Sequence, residues 1–282
     1  MKTFQYITIA AAAILPLLFT SCIKDDLYNT PHPDKGALMV SPDFSKHTEG
    51  VALPQEYVLS VGGNECNAPA SQAFCYPELL TPAEYRIMAY NIPEGVTATD
   101  NKASVNRLAD GTFTAMPGYL FTYSAPVTIV ADDTVKVDMP MTQRMRDLYI
   151  KLTVTEGDVE RVAAVKGSIT GIAGEFDILH GTTAGDAGSV TPAFTVTGTT
   201  VVAHTRLLGT TGDRQTLTLD ITFNDGRSQT VNSDITQLLK DFNADMTTPT
   251  EIHGNLLLPI AAGFDITITD LKTDEVENVD LY

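Results

Sequence analysis

Apolar and polar residues alternate along this chain in short runs separated by Gly, Pro, Asn and Asp, a pattern that marks strands and tight turns. The clearest run is QTLTLDITF, which puts Leu217, Leu219, Ile221 and Phe223 on one face and Thr216, Thr218, Asp220 and Thr222 on the other. Asn224-Asp225-Gly226 follows with residues that tolerate positive φ in a hairpin, and a partner strand is expected over Arg227–Val231. DLYIKLTV repeats the pattern, with Leu148, Ile150, Leu152 and Val154 facing inward and Tyr149, Lys151 and Thr153 outward. Further strands are expected at Gly36–Val40, at Tyr57–Val61, and around Tyr85, Ile87 and Ala89. Others are expected at Thr112–Met116, Val127–Ala131, Val135–Met139 and Phe264–Thr269, with Asp132-Asp133 turning between the second and third of these. Threonine recurs on outward positions, as suits exposed strands.

One stretch breaks the period of two. In SDITQLLKDFNAD, Ser233 is a natural N-cap and Asp234 lies near the positive end of a helix dipole. Ile235, Leu238, Leu239 and Phe242 follow helical spacing, so one short helix packed on a sheet is expected there. Pro140–Arg146 reads as a seam. The pattern predicts an all-β protein of two antiparallel β-sandwiches in tandem, at 36–145 and 146–282, with the helix in the second. No repeat of solenoid or propeller period stands out.

The N-terminus has a different character. After Lys2, Tyr6–Phe19 is apolar apart from Thr8 and Pro16. It is shorter than the roughly 20 residues a membrane-spanning helix needs, and has the length of the apolar part of an export signal. Leu18-Phe19-Thr20-Ser21-Cys22 resembles a bacterial lipobox. Such a signal, here 1–21, is removed, and Cys22 then carries lipid on its sulfur and amino group. Lys24, Asp25 and Asp26 resemble the acidic tag that sends lipoproteins to the cell surface. An ordinary secretory signal with a chance cysteine, and a merely solvated charge run, are the plainer alternatives. Residues 22–35, ending in NTPHPDK, read as a lipidated tether.

Composition narrows the partners. The 282 residues carry 18 Lys and Arg against 35 Asp and Glu, a formal charge of −17. So acidic a chain lacks the basic clusters that bind nucleic acid or anionic lipid, and any membrane link must come from attached lipid. Cys66 and Cys75 lie in a Gly/Asn/Pro/Ala-rich region. A disulfide between them is expected in an oxidising compartment, with two free buried thiols as the alternative. Tryptophan is absent, which disfavours a large sugar-stacking platform, although ten tyrosines leave room for stacking.

No catalytic motif is present: no G-x-S-x-G, no H-E-x-x-H, no pair of CxxC motifs and no Gly-rich phosphate loop. His32, His47, His180, His204 and His253 are scattered, none with a second histidine at ligand spacing. DFNAD and GTTGDR do not match a calcium loop and read as solvated turns. No enzyme activity, cofactor or metal is expected.

Taken in order, the lipobox cysteine with its acidic tag, DLYNTPHPDKGALMVSPDFS, EYRIMAYN and VKVDMPMTQRMRDLYIKLTV resemble the fimbrillin-like surface lipoproteins of Bacteroidetes, which include minor subunits that anchor type V pili. The resemblance implies two transthyretin-like sandwiches and assembly with pilins by β-strand exchange, in which an incoming strand completes a sheet. It also implies lipid anchorage in the outer membrane at the cell surface. Stalk subunits of such pili lose an N-terminal strand to an Arg-directed protease. Here no arginine precedes Arg86, although Lys35 and Lys46 would admit a different protease, so the chain reads as an anchor or minor subunit. Phe264, Ile266 and Ile268 are either the alternate side chains of an exchanged last strand or plain core, core being the plainer reading. The alternative function is a surface glycan-binding lipoprotein of a nutrient-uptake system.

Overall fold

The computed structural model describes residues 34–259 and 265–275. The first strands are β1 (Ala37–Asp43), β2 (Glu56–Val61), β3 (Asn64–Pro69), β4 (Phe74–Cys75) and β5 (Glu84–Tyr90). A hairpin follows, β6 (Val96–Thr99) and β7 (Lys102–Val105), then β8 (Phe121–Thr128), β9 (Thr134–Pro140) and the two-residue β10 (Thr142–Gln143). The second half holds β11 (Arg146–Glu156), β12 (Val162–Asp177), β13 (Thr182–Val190), β14 (Phe194–Thr197) and β15 (Thr200–Leu207). It closes with β16 (Thr216–Phe223), β17 (Ser228–Asp234), β18 (Thr250–Leu257) and β19 (Thr267–Glu275).

These strands form four sheets around two cores. A three-stranded sheet, β4-β1-β9, faces a five-stranded one, β10-β8-β5-β2-β3. Between them lie Leu38, Val40, Tyr57, Leu59, Ile87, Phe121 and Met139, all buried. In the second half, β14-β15-β11-β18-β19 faces β17-β16-β12-β7-β6. That core is built of aliphatic side chains such as Leu148, Ile150, Leu152, Leu217, Leu219, Ile221 and Ile252. Two pairings are parallel, β1 with β9 and β11 with β18; the other named strand pairs are antiparallel.

The alternation expected along β11 and β16 is present: Leu148, Ile150 and Leu152, and Leu217, Leu219, Ile221 and Phe223, are all buried. Gly226, at φ 82°, closes the β16–β17 hairpin, its N–H donating to Phe223 O at 2.9 Å. Strand β5 does more than period two implies. Ile87 and Ala89 enter the first core, while Met88 and Tyr90 on its other face enter the second. The hairpin β6–β7 lies within 36–145 yet pairs with β12, through Ala103↔Phe176, and so belongs to a sheet of the second sandwich.

Other expectations need correction. SDITQLLKDFNAD is not a helix: Ser233 and Asp234 end β17, and Ile235–Ala244 is a series of turns. Asp234 caps the first turn by accepting from Thr236 N at 3.0 Å, and single bonds such as Leu239 N to Ile235 O, 3.1 Å, do not propagate. The apolar stripe is nevertheless buried, with Ile235, Leu239 and Phe242 all in the second core. Burial of three anchors holds this segment without a regular backbone, because a short helix gains little from its own hydrogen bonds. Thr112–Met116 is no strand either, and contributes isolated bridges through Phe113. Its ring packs where a Cβ on Gly174 or Gly188 would come within 2.1 or 2.2 Å of it, so two glycines form its socket. The strand expected at Val127–Ala131 ends at Thr128 and begins at Phe121.

Candidate functional site

The described chain begins beside the point where β1 enters its sheet. Gly36 exchanges two 2.9 Å backbone bonds with Leu80, and Ala37 N donates to Asp133 O at 2.8 Å. A Cβ at Gly36 would lie 2.1 Å from the Val130 carbonyl oxygen, so glycine is required at this crossing. Strand β1 then runs between two neighbours, β4 through Met39↔Cys75 and Val40↔Phe74, and β9 from Ala37↔Thr134 to Asp43↔Pro140. Leu38 and Val40 are fully buried. Exposed Lys35 and Lys46 flank this strand, and the first arginine, Arg86, stands on β5.

The other sequence-predicted positions separate into three groups. Cys22, Lys24, Asp25, Asp26 and Phe264 lie outside the described residues. Cys66 and Cys75 are free thiols, half-buried on β3 and exposed on β4, in different sheets, and the expected bond between them is not formed. Burial raises the Cys66 pKa. Ile266 is buried in the second core and Ile268 packs against it, which is the plain-core alternative for both.

A cleft of about 1170 Å³ opens between the two sandwiches. One wall is the segment from Thr48 to Val58 together with Asn67; the other carries Asp147, Tyr149 and Arg206; Ile92, Pro93 and Tyr119 cross between them. Leu148, Ile150 and Leu152 point into the core, so Asp147 and Tyr149, out of phase with them on β11, must project from the opposite face. Register places Arg206 opposite Asp147 and His204 opposite Tyr149.

Asp147 is 4% exposed and gathers three donors. Its Oδ1 accepts from His204 Nε2 at 2.9 Å and Arg206 Nε at 3.0 Å, and its Oδ2 accepts from the Tyr119 hydroxyl. Burial pushes this carboxyl upward, but His204, Tyr119 and Arg206 outweigh it and hold its pKa below the usual carboxylate value. Arg206 also donates from Nη1 to Pro117 O at 2.9 Å and lies 3.6 Å over the Tyr119 ring. Tyr149 stacks on His204 at 4.2 Å and 8° between planes. Burial, then the Asp147 charge, raises the Tyr149 hydroxyl to about 12. The cluster is a set of fixed dipoles with its charges balanced internally.

No sequence motif marks this cluster. Its trace in the sequence is an acid one residue before the apolar phase of DLYIKLTV begins, and the alternation of His204 and Arg206 with Ala203, Thr205 and Leu207 along β15.

A second network fastens the sandwiches beside the cleft. Gln143 Oε1 accepts from Thr48 N at 2.9 Å, and its two Nε2 hydrogens are shared among Thr48 Oγ1 at 2.9 Å, Met145 O at 2.7 Å and Met246 O.

Four packed sheets around two cores, with almost no helix, define an all-β protein of the β-sandwich class. Residues 45–277 match the model of the fimbrillin-A associated anchor proteins Mfa1 and Mfa2, and the chain belongs to that family. The family is one of fimbrial anchor proteins and not of enzymes. Among solved structures, a candidate adhesin from Bacteroides ovatus aligns with TM-score 0.63 and 15% identity over 84% of this chain and 93% of its own. The fimbrial anchor protein Mfa2 from Porphyromonas gingivalis aligns with TM-score 0.62 and 14% identity over 85% and 97%. A candidate polysaccharide-binding protein from Bacteroides thetaiotaomicron aligns with TM-score 0.58 and 14% identity over 86% and 99%. At these identities the likeness concerns the fold. No curated protein matches the sequence.

Proposed function

We propose that this protein is a lipid-anchored subunit at the base of a fimbria, held in the outer membrane through Cys22 and joined to a pilin by β-strand exchange. In this reading its two sandwiches are transthyretin-like. Family membership supports a fimbrial role, and the position of β1 carries the finer assignment. That strand is the middle of a three-stranded sheet, paired on both sides, and no arginine lies before it. An Arg-directed protease therefore leaves it in place, and the chain stays continuous from β1 back to Cys22. A subunit that keeps its own first strand has its first core filled and ends a polymer instead of extending it.

The acceptor in this reading is β9. Among the described residues it is an unpaired edge of the smallest sheet, three strands opposite five, and it turns Val135, Val137 and Met139 towards the core. An added strand there would satisfy unpaired backbone groups and even the two layers.

The experiment compares intact cells carrying wild type and Cys22→Ala. Photocrosslinkers stand at Thr134, Lys136 and Asp138, the outward positions of β9. Surface exposure that depends on Cys22, with a pilin crosslinked through these positions, is expected. Protease protection on intact cells overturns the surface anchor, and crosslinks confined to other edges overturn the β9 assignment.

A further inference from the structure

The anchor reading uses a strand edge and the N-terminal segment and leaves the cleft between the sandwiches without a task. The cleft exceeds the roughly 300–1,000 Å³ of ordinary small-molecule pockets and is open, which suits an elongated ligand of several units. Its second wall is the face of a sheet. The backbone of β11 there is already paired with β15 and β18, so an incoming polypeptide finds no main-chain ladder to extend on that side.

Charge narrows the ligand further. Among the described residues, Arg206 is the only lysine or arginine in the lining, and Asp147 already takes it. What is left for a ligand is acidic, Glu49 and Glu56 on the opposite wall, which repels carboxylates, sulfates and phosphates. Among the described residues, the exposed side chains of Gln55, Glu56 and Asn67 make no hydrogen bond or ion pair. Amides and carboxylates of this kind are planar and offer adjacent donors and acceptors, which pair with vicinal hydroxyls. Across from them stands the Tyr149 ring, set by its stack on His204, and between the walls lies Ile92, 54% exposed, both suited to the C–H face of a pyranose.

We propose that the cleft between the sandwiches binds a neutral oligosaccharide, with Gln55, Glu56 and Asn67 meeting its hydroxyls and Tyr149 and Ile92 its apolar faces. Asp147, His204 and Arg206 act as positioning residues that fix Tyr149 and Tyr119. The site is independent of β9, so it can hold sugar whether or not a pilin is bound.

Calorimetry of the mature soluble chain against neutral hexasaccharides of glucose, mannose, galactose and xylose tests this, with a uronic-acid hexamer and a pilin strand peptide as competing ligands, at about 50 and about 500 mM NaCl to separate ionic from neutral recognition. Single-site binding to at least one, unchanged by salt, is expected. Tyr149→Ala, and separately Glu56→Ala with Asn67→Ala, should each weaken it about tenfold, equivalent to about 1.4 kcal/mol, while Tyr149→Phe retains it. Glu56 and Asn67 are exposed, so their loss leaves folding intact. Silence across the panel overturns the proposal, as does binding indifferent to both variants. Salt-sensitive preference for a uronic-acid oligomer would make the ligand anionic, and competition by a pilin strand peptide in place of sugar would make the cleft a peptide site. Either result also overturns it.

Discussion

The two sandwiches solve the same packing problem with different reserves. The first sets three strands against five, and its small sheet is held together by β1, which bridges the two-residue β4 and the edge strand β9. The second sets five against six, includes the sixteen-residue β12, and takes in β6–β7 and the inner face of β5 from the earlier chain. One region therefore rests on a single strand next to the N-terminal segment, while the other spreads its stability over many. For a subunit pulled at one end, the loss of β1 would open only the first core.

The sharpest way to break this contrast is Val40→Asp. Val40 is fully buried in β1 between Phe74 and Val137 of the flanking strands. A carboxylate there has no partner, and the expected loss exceeds about 4 kcal/mol, enough to undo a typical domain. Hydrogen exchange read by mass spectrometry should show β1, β4 and β9 unprotected while β16 and β18 keep their protection. Equal loss in both regions would show that the sandwiches fold as one unit. Next in size is Phe113→Ala in the second region. It empties the socket of Gly174 and Gly188 and removes the ring under Arg107, at 4.2 Å. A loss of about 3 kcal/mol is expected in urea unfolding, with exchange rising in β12 and β13.

The same contrast explains what the sequence could reveal. Strands buried on one face, β11 and β16, are legible because period two survives in them. Strand β5 is half legible, since Met88 and Tyr90 meet a core that comes from residues far along the chain. Long β12, with Gly167, Gly171 and Gly174, and Gly/Ala-rich β13 lack apolar alternation, because close contacts with Phe194, Arg214 and Phe113 replace side chains there. The turns at Ile235–Ala244 imitate a helix because three anchors at helical spacing suit any compact segment on a sheet. The cleft was invisible for a related reason. Asp147, His204 and Tyr119 come from separate segments, and only the register of β11 against β15 joins the first two.

Gln143→Ala sharpens the comparison at its boundary. This residue is fully buried, and its amide holds Thr48 of the first region to Met246 of the second. Truncation strands Thr48 N and two carbonyls, at a cost of about 1–3 kcal/mol. The more telling result is the shape of the transition: one urea transition should separate into two as coupling weakens, with the first region leaving early. A single transition merely shifted in midpoint would mean that β5, shared by both cores, suffices to couple them.

Acid gives the smallest effect, and it should fall on the junction. Asp245 is raised by burial but brought down to about 2 by Thr248, Thr247 and the nearby Arg146 charge. Asp147 is held low by His204, Tyr119 and Arg206 against its own burial. Both folded values lie below the unfolded carboxylate value of about 3.9. Their contribution is therefore present above about pH 4 and is lost as pH falls through the folded values, towards about pH 2 for Asp245. Urea midpoints should decline over that window, with exchange rising first in the turns before β18. Asp245→Asn provides the internal check. At neutral pH it should be less stable than wild type, because Thr247 N and Oγ1, each 2.8 Å from Asp245 Oδ1, lose a charged acceptor. At about pH 2 the wild-type carboxyl is itself losing its charge, and the difference between the two proteins should shrink. A difference constant with pH would mean that geometry alone, and not ionisation, makes Asp245 stabilising.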